Sequence, residues 1–261
     1  MLPMSLVAPE KVTNIVAEVA GSVILPRFRC LSSAEIEEKN PGDLVTVADR
    51  EAEQRLSELL PSLLEGSLVM GEECVSADPA SAACLQSDKP VWVIDPIDGT
   101  GNFVRGNQHF AVIIALVLKQ ETLQGWIYDP LLAQMTWAVK GGGTWCEGTR
   151  RMLQSRTIEG MAGSVARRDY ARLTEHGLIP RQLGSAAHEY LSLLDGSLDF
   201  SCYRRLNPWD HAAGVLMVEE AGGKAGLLDG SPYRPVPQTG NTLLMAPDPE
   251  SWNELKGLLA E

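Results

Sequence analysis

The run VWVIDPIDGTGNF (Val91–Phe103) opens on the apolar Val91–Ile94 and then places Asp95, Asp98, Gly99 and Gly101 in close succession. A strand of this quality belongs in a core, where a carboxylate is costly unless something neutralises it. Any fold that accepts the segment must therefore supply a partner at its end. Pro96 fixes the backbone between the acids and can turn the Ile97 carbonyl outward as a further oxygen donor. Gly99 and Gly101 let backbone N–H groups approach an anion closely, and a helix starting here would add its dipole. Thr100 offers a hydroxyl that could position a water. Taken alone, the run fits equally well a tight strand-to-helix turn with Asp98 as an ordinary cap.

Further acids stand at the edges of other predicted elements. Apolar residues at Val12, Ile15, Val16, Val19, Ala20 and Val23 give helical spacing over Pro9–Arg29. The KNPGD turn (Lys39–Asp43) leads to LVTVAD, which ends on Asp49, and then to a second amphipathic helix from Arg50. LVMGEE reads as a short strand ending in Gly71 and two glutamates, of which Glu73 reads as a supporting residue. Phe110–Gln120, Leu123–Pro130 and Gln134–Lys140 read as an antiparallel meander. GGGTW (Gly141–Trp145) and AGGKA lack phosphate-loop spacing and read as turns. The second half alternates, with strands near Ser164–Ala166, Leu198–Tyr203, Lys224–Leu228 and TLLMAP. Its helices are expected at Ala186–Leu194, from His211 with Asp210 as N-cap, and from Pro249. Such an order suggests layered α and β structure.

Asp49, Glu72, Asp95, Asp98 and Asp210, with the Ile97 carbonyl, make an all-oxygen set of candidate donors that suits Mg²⁺ rather than zinc. Gathered carboxylates repel one another, so bringing them together makes most sense with divalent cations between them. The four histidines form no HxH or HExxH pattern, and His211 reads as a residue of a helical first turn. A net charge of −12 argues against a nucleic-acid partner, which would need a basic face. It leaves room for a small phosphorylated molecule met by local positive charge. No apolar stretch approaches the roughly 20 residues of a membrane span, and the N-terminus shows no secretory signal. Five scattered cysteines form no framework, which suggests reduced, mostly buried thiols in a cytoplasm.

GEE at Gly71–Glu73, DPIDGT at Asp95–Thr100 and WDHAAG at Trp209–Gly214, in this order, resemble the inositol monophosphatase family of Mg²⁺-dependent, lithium-sensitive phosphomonoesterases. The resemblance runs from about the first helix to TLLMAP. It implies an αβαβα sandwich of the inositol monophosphatase and fructose-bisphosphatase type. The expected halves are residues 1–140, with most metal ligands, and 141–261, with the WD helix and a substrate loop. It further implies two or three Mg²⁺ ions on Glu72, Asp95, Ile97, Asp98 and Asp210, and a homodimer. Glu72 and Thr100 would orient the attacking water, with Asp49 hydrogen-bonding the threonine. The N–H groups of Gly99 and Thr100 would bind the phosphate. Asp98, Asp210 and the loop residues Gly184, Ser185 and Ala186 would meet the rest of the substrate.

One position departs from the family. Inositol-specific members carry a glutamate seven residues before the helix aspartate, and here that position is Tyr203, followed by Arg204 and Arg205. The two arginines could accept a second phosphate or a carboxylate, or could point into solvent or a subunit interface. The expected substrate is therefore a small phosphate monoester: an inositol or other sugar phosphate first, histidinol phosphate or a sugar or nucleotide bisphosphate second. A two-carboxylate glycosidase is disfavoured because Asp95 and Asp98 are too close and too surrounded by acids. An EF-hand is excluded because DPIDG lacks its alternating ligands. A non-enzymatic interaction role stands third.

Overall fold

Two helices and the edge of a sheet set the first layer. The structure is a computed structural model that describes residues 7–259; residues 1–6, where no secretory signal is expected, and 260–261 lie outside. Helix α1 (Pro9–Val19) continues through a wider and then a tighter turn to Arg27, close to the expected span. A hairpin of β1 (Ile36–Asn40) and β2 (Asp43–Thr46) follows. Helix α2 (Val47–Leu59) starts three residues earlier than expected, because Thr46 and Asp49 form a reciprocal capping box. Then come β3 (Leu68–Gly71), α3 (Glu72–Ala77), β4 (Val91–Asp98), the single turn α4 (Thr100–Val104), β5 (Ala111–Leu118), β6 (Glu121–Asp129), β7 (Gln134–Val139), β8 (Gly143–Cys146) and β9 (Thr149–Arg151). In the GGGTW stretch only the first two glycines turn; the rest is β8.

Strands β3 to β9 form one seven-stranded sheet in sequence order, parallel only between β3 and β4. The expected meander is therefore present, and β8 and β9 extend it across the 140/141 point. The remainder comprises β10 (Ala162–Ser164), α5 (Tyr170–Glu175), β11 (Ile179–Arg181), α6 (Ala186–Asp195), β12 (Phe200–Tyr203), α7 (Pro208–Glu220), β13 (Lys224–Leu227), β14 (Leu243–Ala246) and α8 (Pro249–Leu259). Its strands make a five-stranded mixed sheet, ordered β11-β10-β12-β14-β13. Helix α7 begins at Pro208 with Asn207 as N-cap, so Asp210 is not the cap but the third helical residue. Proline suits the first helical position because its missing N–H would have no partner there.

The period-two alternation of the strands sorts side chains into layers. Trp92, Ile94, Val112, Ile114, Leu116 and Trp126 face α1 and α2. Their neighbours Val91, Val93, Ile113, Ala115 and Ile127 face α6 and α7, which also bury Ala225, Leu227, Leu243 and Met245 of the second sheet. The reverse side of that sheet, with Phe200, Cys202, Leu244 and Ala246, packs on α5 and α8. The result is the expected αβαβα order. Helix α7 is buried nearly all round because it is sandwiched between the sheets. Small residues permit this: a Cβ on Gly214 would lie 2.2 Å from the Tyr190 ring.

Among the described residues no helix is long and apolar enough to cross a membrane. All five cysteines are free, but the expectation of mostly buried thiols fails: Cys146 and Cys202 are buried, whereas Cys30 and Cys74 are exposed. Both exposed ones lie in helical or turn segments outside the sheets, where no layer covers them.

Candidate active site

The end of β4 is where the sequence puts its acids, and the strand is irregular there. Asp95 pairs with Ile113 and Asp98 with Ala111, so Pro96 and Ile97 stand outside the regular ladder. Proline has no N–H to give a ladder, which makes it compatible with a bulge. Asp98 thus belongs to the strand rather than to a turn beyond it. The bulge frees the Ile97 N–H to bond Asp95 Oδ1 at 3.1 Å, and the Ile97 carbonyl accepts from Thr100 Oγ1 at 2.9 Å. Gly99 then takes φ 85°, a left-handed conformation that glycine alone adopts freely, and α4 starts. A Cβ there would also press to 2.7 Å from the His109 carbonyl.

Thr100 Oγ1 is also 3.0 Å from Asp49 Oδ1, the contact implied by the resemblance. Asp49 is buried, and its other oxygen accepts from the N–H and hydroxyl of Thr46. Burial pushes its pKa up to about 7, against the opposing pull of the Thr46 and Thr100 hydrogen bonds.

Asp98 reaches the N-terminus of α6, where it accepts from the Ser185 hydroxyl and from the N–H groups of Ala186 (3.1 Å) and Ala187 (2.9 Å). The loop Gly184–Ala186 therefore lies directly against the end of β4. Ser185 caps α6 through His188 N–H at 3.2 Å, and Gly184 allows the approach with φ 72°. Burial raises the Asp98 pKa to about 6, less than it otherwise would because those donors favour the charged form.

Glu72, the first residue of α3, is met by Lys39 from the β1–β2 hairpin, Nζ to Oε1 at 2.9 Å. Lys39 also bonds Glu73 Oε1 at 2.9 Å. Asp210 hangs in the first turn of α7 and accepts from Asn207 Nδ2 at 3.1 Å. Burial raises Asp95 and Asp210 well above the ordinary carboxylate range, and Glu72 adds the next largest push on each; Asp98 contributes further. These acids thus lie near enough to feel one another's charge. As they stand, no three His, Cys, Asp or Glu side chains among the described residues are grouped tightly enough to hold a metal ion. Lys39 occupies Glu72, and Asp98 is turned to α6. The donor chemistry nonetheless fits a hard cation: mutually repelling oxygen donors, Asp95 and Asp98 buried and Glu72 and Asp210 half-buried, with no nitrogen or sulfur among them.

The family model for the inositol monophosphatase family matches residues 9–261. The chain belongs to that family. It is 30% identical over 236 residues to the fructose-1,6-bisphosphatase/inositol-1-monophosphatase of Aquifex aeolicus, covering 85% of this chain and 86% of that one. It is 31% identical over 223 residues to the Nus factor SuhB of Salmonella typhimurium, covering 79% and 80%. Among solved structures, the Thermotoga maritima IMPase superposes with a TM-score of 0.79 at 27% identity, covering 95% of this chain and 94% of that one. The family is one of phosphatases, generally metal-dependent.

Two residues at the site, Lys39 and Glu53, carry no motif signal, and a third, Asn102, carries only its place in the run. Lys39 lies on the hairpin, and only the pairing of β1 with β2 brings it to Glu72. Glu53, on α2, is buried and accepts from the N–H groups of Glu73 (2.7 Å) and Cys74 (2.8 Å), fixing the start of α3. Asn102 turns Nδ2 toward the carbonyls of His109, Leu183 and Gly184, tying α4 to the substrate loop. Its place beside DGTG is the one hint the sequence offers.

The arginine question divides in two. Tyr203 is packed beside Tyr190 and His211, with its hydroxyl buried and unpartnered. Arg204 is engaged by the buried Asp169, Nη1 to Oδ2 at 2.5 Å. Arg205 alone is exposed.

Proposed function

We propose that the protein hydrolyses a small phosphate monoester, inositol-phosphate-like or another sugar phosphate, with Mg²⁺ as the ion. The observation that carries this reading is the approach of Glu72 from α3, Asp95 and Asp98 from β4 and Asp210 from α7, three elements whose acids feel one another's charge, beside the Thr100–Asp49 pair. When bound, Mg²⁺ supplies Lewis-acid charge to the phosphoryl group and lowers the pKa of a water. Glu72, Asp95, the Ile97 carbonyl, Asp98 and Asp210 would hold two or three such ions. Thr100, steadied by Asp49, and Glu72 orient the attacking water. The N–H groups of Gly99 and Thr100 meet phosphate oxygens at the start of α4, where the first N–H groups of a helix lack partners. Gly184, Ser185, Ala186 and the outer edges of Asp98 and Asp210 border the leaving alcohol. Such catalysis rests on positioning and charge rather than on a covalent intermediate.

By family likeness the reading includes lithium inhibition, a homodimer and functional halves at 1–140 and 141–261, and the free cysteines add a cytoplasmic setting. Histidinol phosphate or a bisphosphate is the alternative substrate. A protein-binding role comes second, motivated by the relative named as a Nus factor.

A panel of phosphate esters with Mg²⁺, followed by phosphate release, tests the reading. Asp95→Asn should cost on the order of a thousandfold in turnover with an unchanged melting temperature. Near-wild-type hydrolysis by that variant, or activity surviving EDTA, would sink it.

A further inference from the structure

Strands β10 and β12 are parallel neighbours, Gly163 opposite Phe200 and Ser164 opposite Ser201, so their carboxyl ends reach the same edge of the second sheet. Two pairs of arginines follow those ends: Arg167 and Arg168 after β10, Arg204 and Arg205 after β12. In a chain with a net charge of −12 this is a local reversal of sign. Asp169 neutralises part of it, binding Arg204 at 2.5 Å and Arg172 at 3.1 Å. Those contacts bury the carboxylate and make Arg204 structural. Arg167, Arg168 and Arg205 stay exposed.

Arg205 is also tied to the acid cleft. Its carbonyl lies 2.8 Å from Nε2 of His211, the residue after Asp210, so its backbone is pinned to the first turn of α7. Its guanidinium is 70% exposed and touches Asp43 of the hairpin at 3.5 Å. An exposed pair at that distance contributes little, so the guanidinium can exchange Asp43 for a ligand. Two residues before Arg205, the ring of Tyr203 is packed inward against Tyr190 and His211.

We propose that Arg205, with Arg167 and Arg168 along the same edge, is a specificity-determining anion grip that reads a second anionic group, phosphate or carboxylate, on the substrate ester. A planar guanidinium can take two oxygens of either group at once, which an ammonium cannot. The inference rests on the phosphatase reading and narrows it to esters carrying more than the phosphate removed.

Two matched pairs test it with Mg²⁺: fructose 1,6-bisphosphate against fructose 1-phosphate, and 3-phosphoglycerate against glycerol 3-phosphate. The wild type should favour the doubly anionic member of at least one pair by about tenfold in kcat/KM, expressed mainly in KM. Which pair responds identifies phosphate or carboxylate. Arg205→Ala should bring that ratio close to one, Arg205→Lys should restore part of it, and both should melt with the wild type. A wild-type ratio near one in both pairs, or a ratio untouched by Arg205→Ala, overturns the proposal. Calorimetric binding of the same pairs decides the matter even without turnover. Preferential binding with no hydrolysis would keep the grip and sink the phosphatase reading; hydrolysis without preference would do the reverse.

Discussion

Asp98 and Glu72 both press their charge on Asp95 and Asp210, and they are held by different means. Asp98 has three protein donors, all from the α6 N-terminus, and sits on a bulged but central strand. Glu72 has a single side-chain partner, Lys39, carried by a two-stranded hairpin that belongs to neither large sheet. A two-stranded hairpin is marginal by itself, whereas β4 is held by β3 along Val91–Ile94 and by β5 out to Asp98. The Asp98 side is therefore preorganised, and the Glu72 side is adjustable. A site that must close around an ion needs both: a fixed wall that sets position and a movable one that admits the ion.

The fixed side extends into α7, and His211 offers the largest test of it. Its ring is buried, with Tyr190 OH on Nδ1 at 3.0 Å and the Arg205 carbonyl on Nε2 at 2.8 Å. Burial lowers its pKa from 6.5 to about 4. A histidine with a depressed folded pKa contributes stability that is present above 6.5 and is lost as pH falls toward 4. The full loss is about 3 kcal/mol, at 1.36 kcal/mol per unit. Asp49 and Glu53, both raised to about 7, act oppositely, since their contribution declines as pH rises through 7. Only the difference between wild type and His211→Asn isolates the ring. In urea unfolding the wild type should lose about 3 kcal/mol relative to the variant between pH 7 and pH 4. A pH-independent difference would mean that the fixed side is not built on a neutral histidine.

Ser185 comes next. Ser185→Ala removes one donor from Asp98 and the cap of His188 N–H together. A cost of about 1–2 kcal/mol in stability is expected. Activity should fall roughly tenfold as Asp98 loses its fixed direction, consistent with the usual cost of removing a residue that orients a ligand. Equal losses in stability and none in activity would show that the α6 contacts serve the helix and not the carboxylate.

Most of the fixed side was legible in the sequence. DPIDGT and WDHAAG carry their own local physics: a proline that breaks the ladder, a glycine that must be left-handed, small residues that let α7 lie between sheets. The order of elements shows layered α and β structure, and the five-layer order comes from the family resemblance. At the site itself, the sequence misleads in one way. Asp210 and Asp98 were placed as caps or turn residues, when Pro208 starts the helix earlier and β4 runs longer. Caps and strand ends depend on which backbone groups find partners, and that is settled by tertiary contacts such as Asp98 to α6. The adjustable side was the less legible. Lys39 sits in KNPGD, a stretch whose local signal is only a turn. Nothing within five residues of it hints at Glu72, because the contact spans 33 positions and arises from hairpin pairing.

Lys39 gives the smallest and most discriminating prediction. Burial disfavours its charge, but Glu72 and Glu73 more than offset this and raise its pKa. It is therefore an ammonium wherever the carboxylates are ionised, with a side chain 13% exposed against 16% and 12% for its partners. Lys39→Met leaves the two glutamates facing each other without compensation. The metal-free variant should melt a few degrees lower, a loss of about 1 kcal/mol for a partly exposed pair. Saturating Mg²⁺ should close most of that gap, because a divalent ion replaces the missing charge. The corresponding change at the fixed side, Ser185→Ala, should not be repaired by Mg²⁺, since its lost donors are hydrogen bonds and not charge. Equal rescue of the two variants by Mg²⁺ would erase the distinction between the walls.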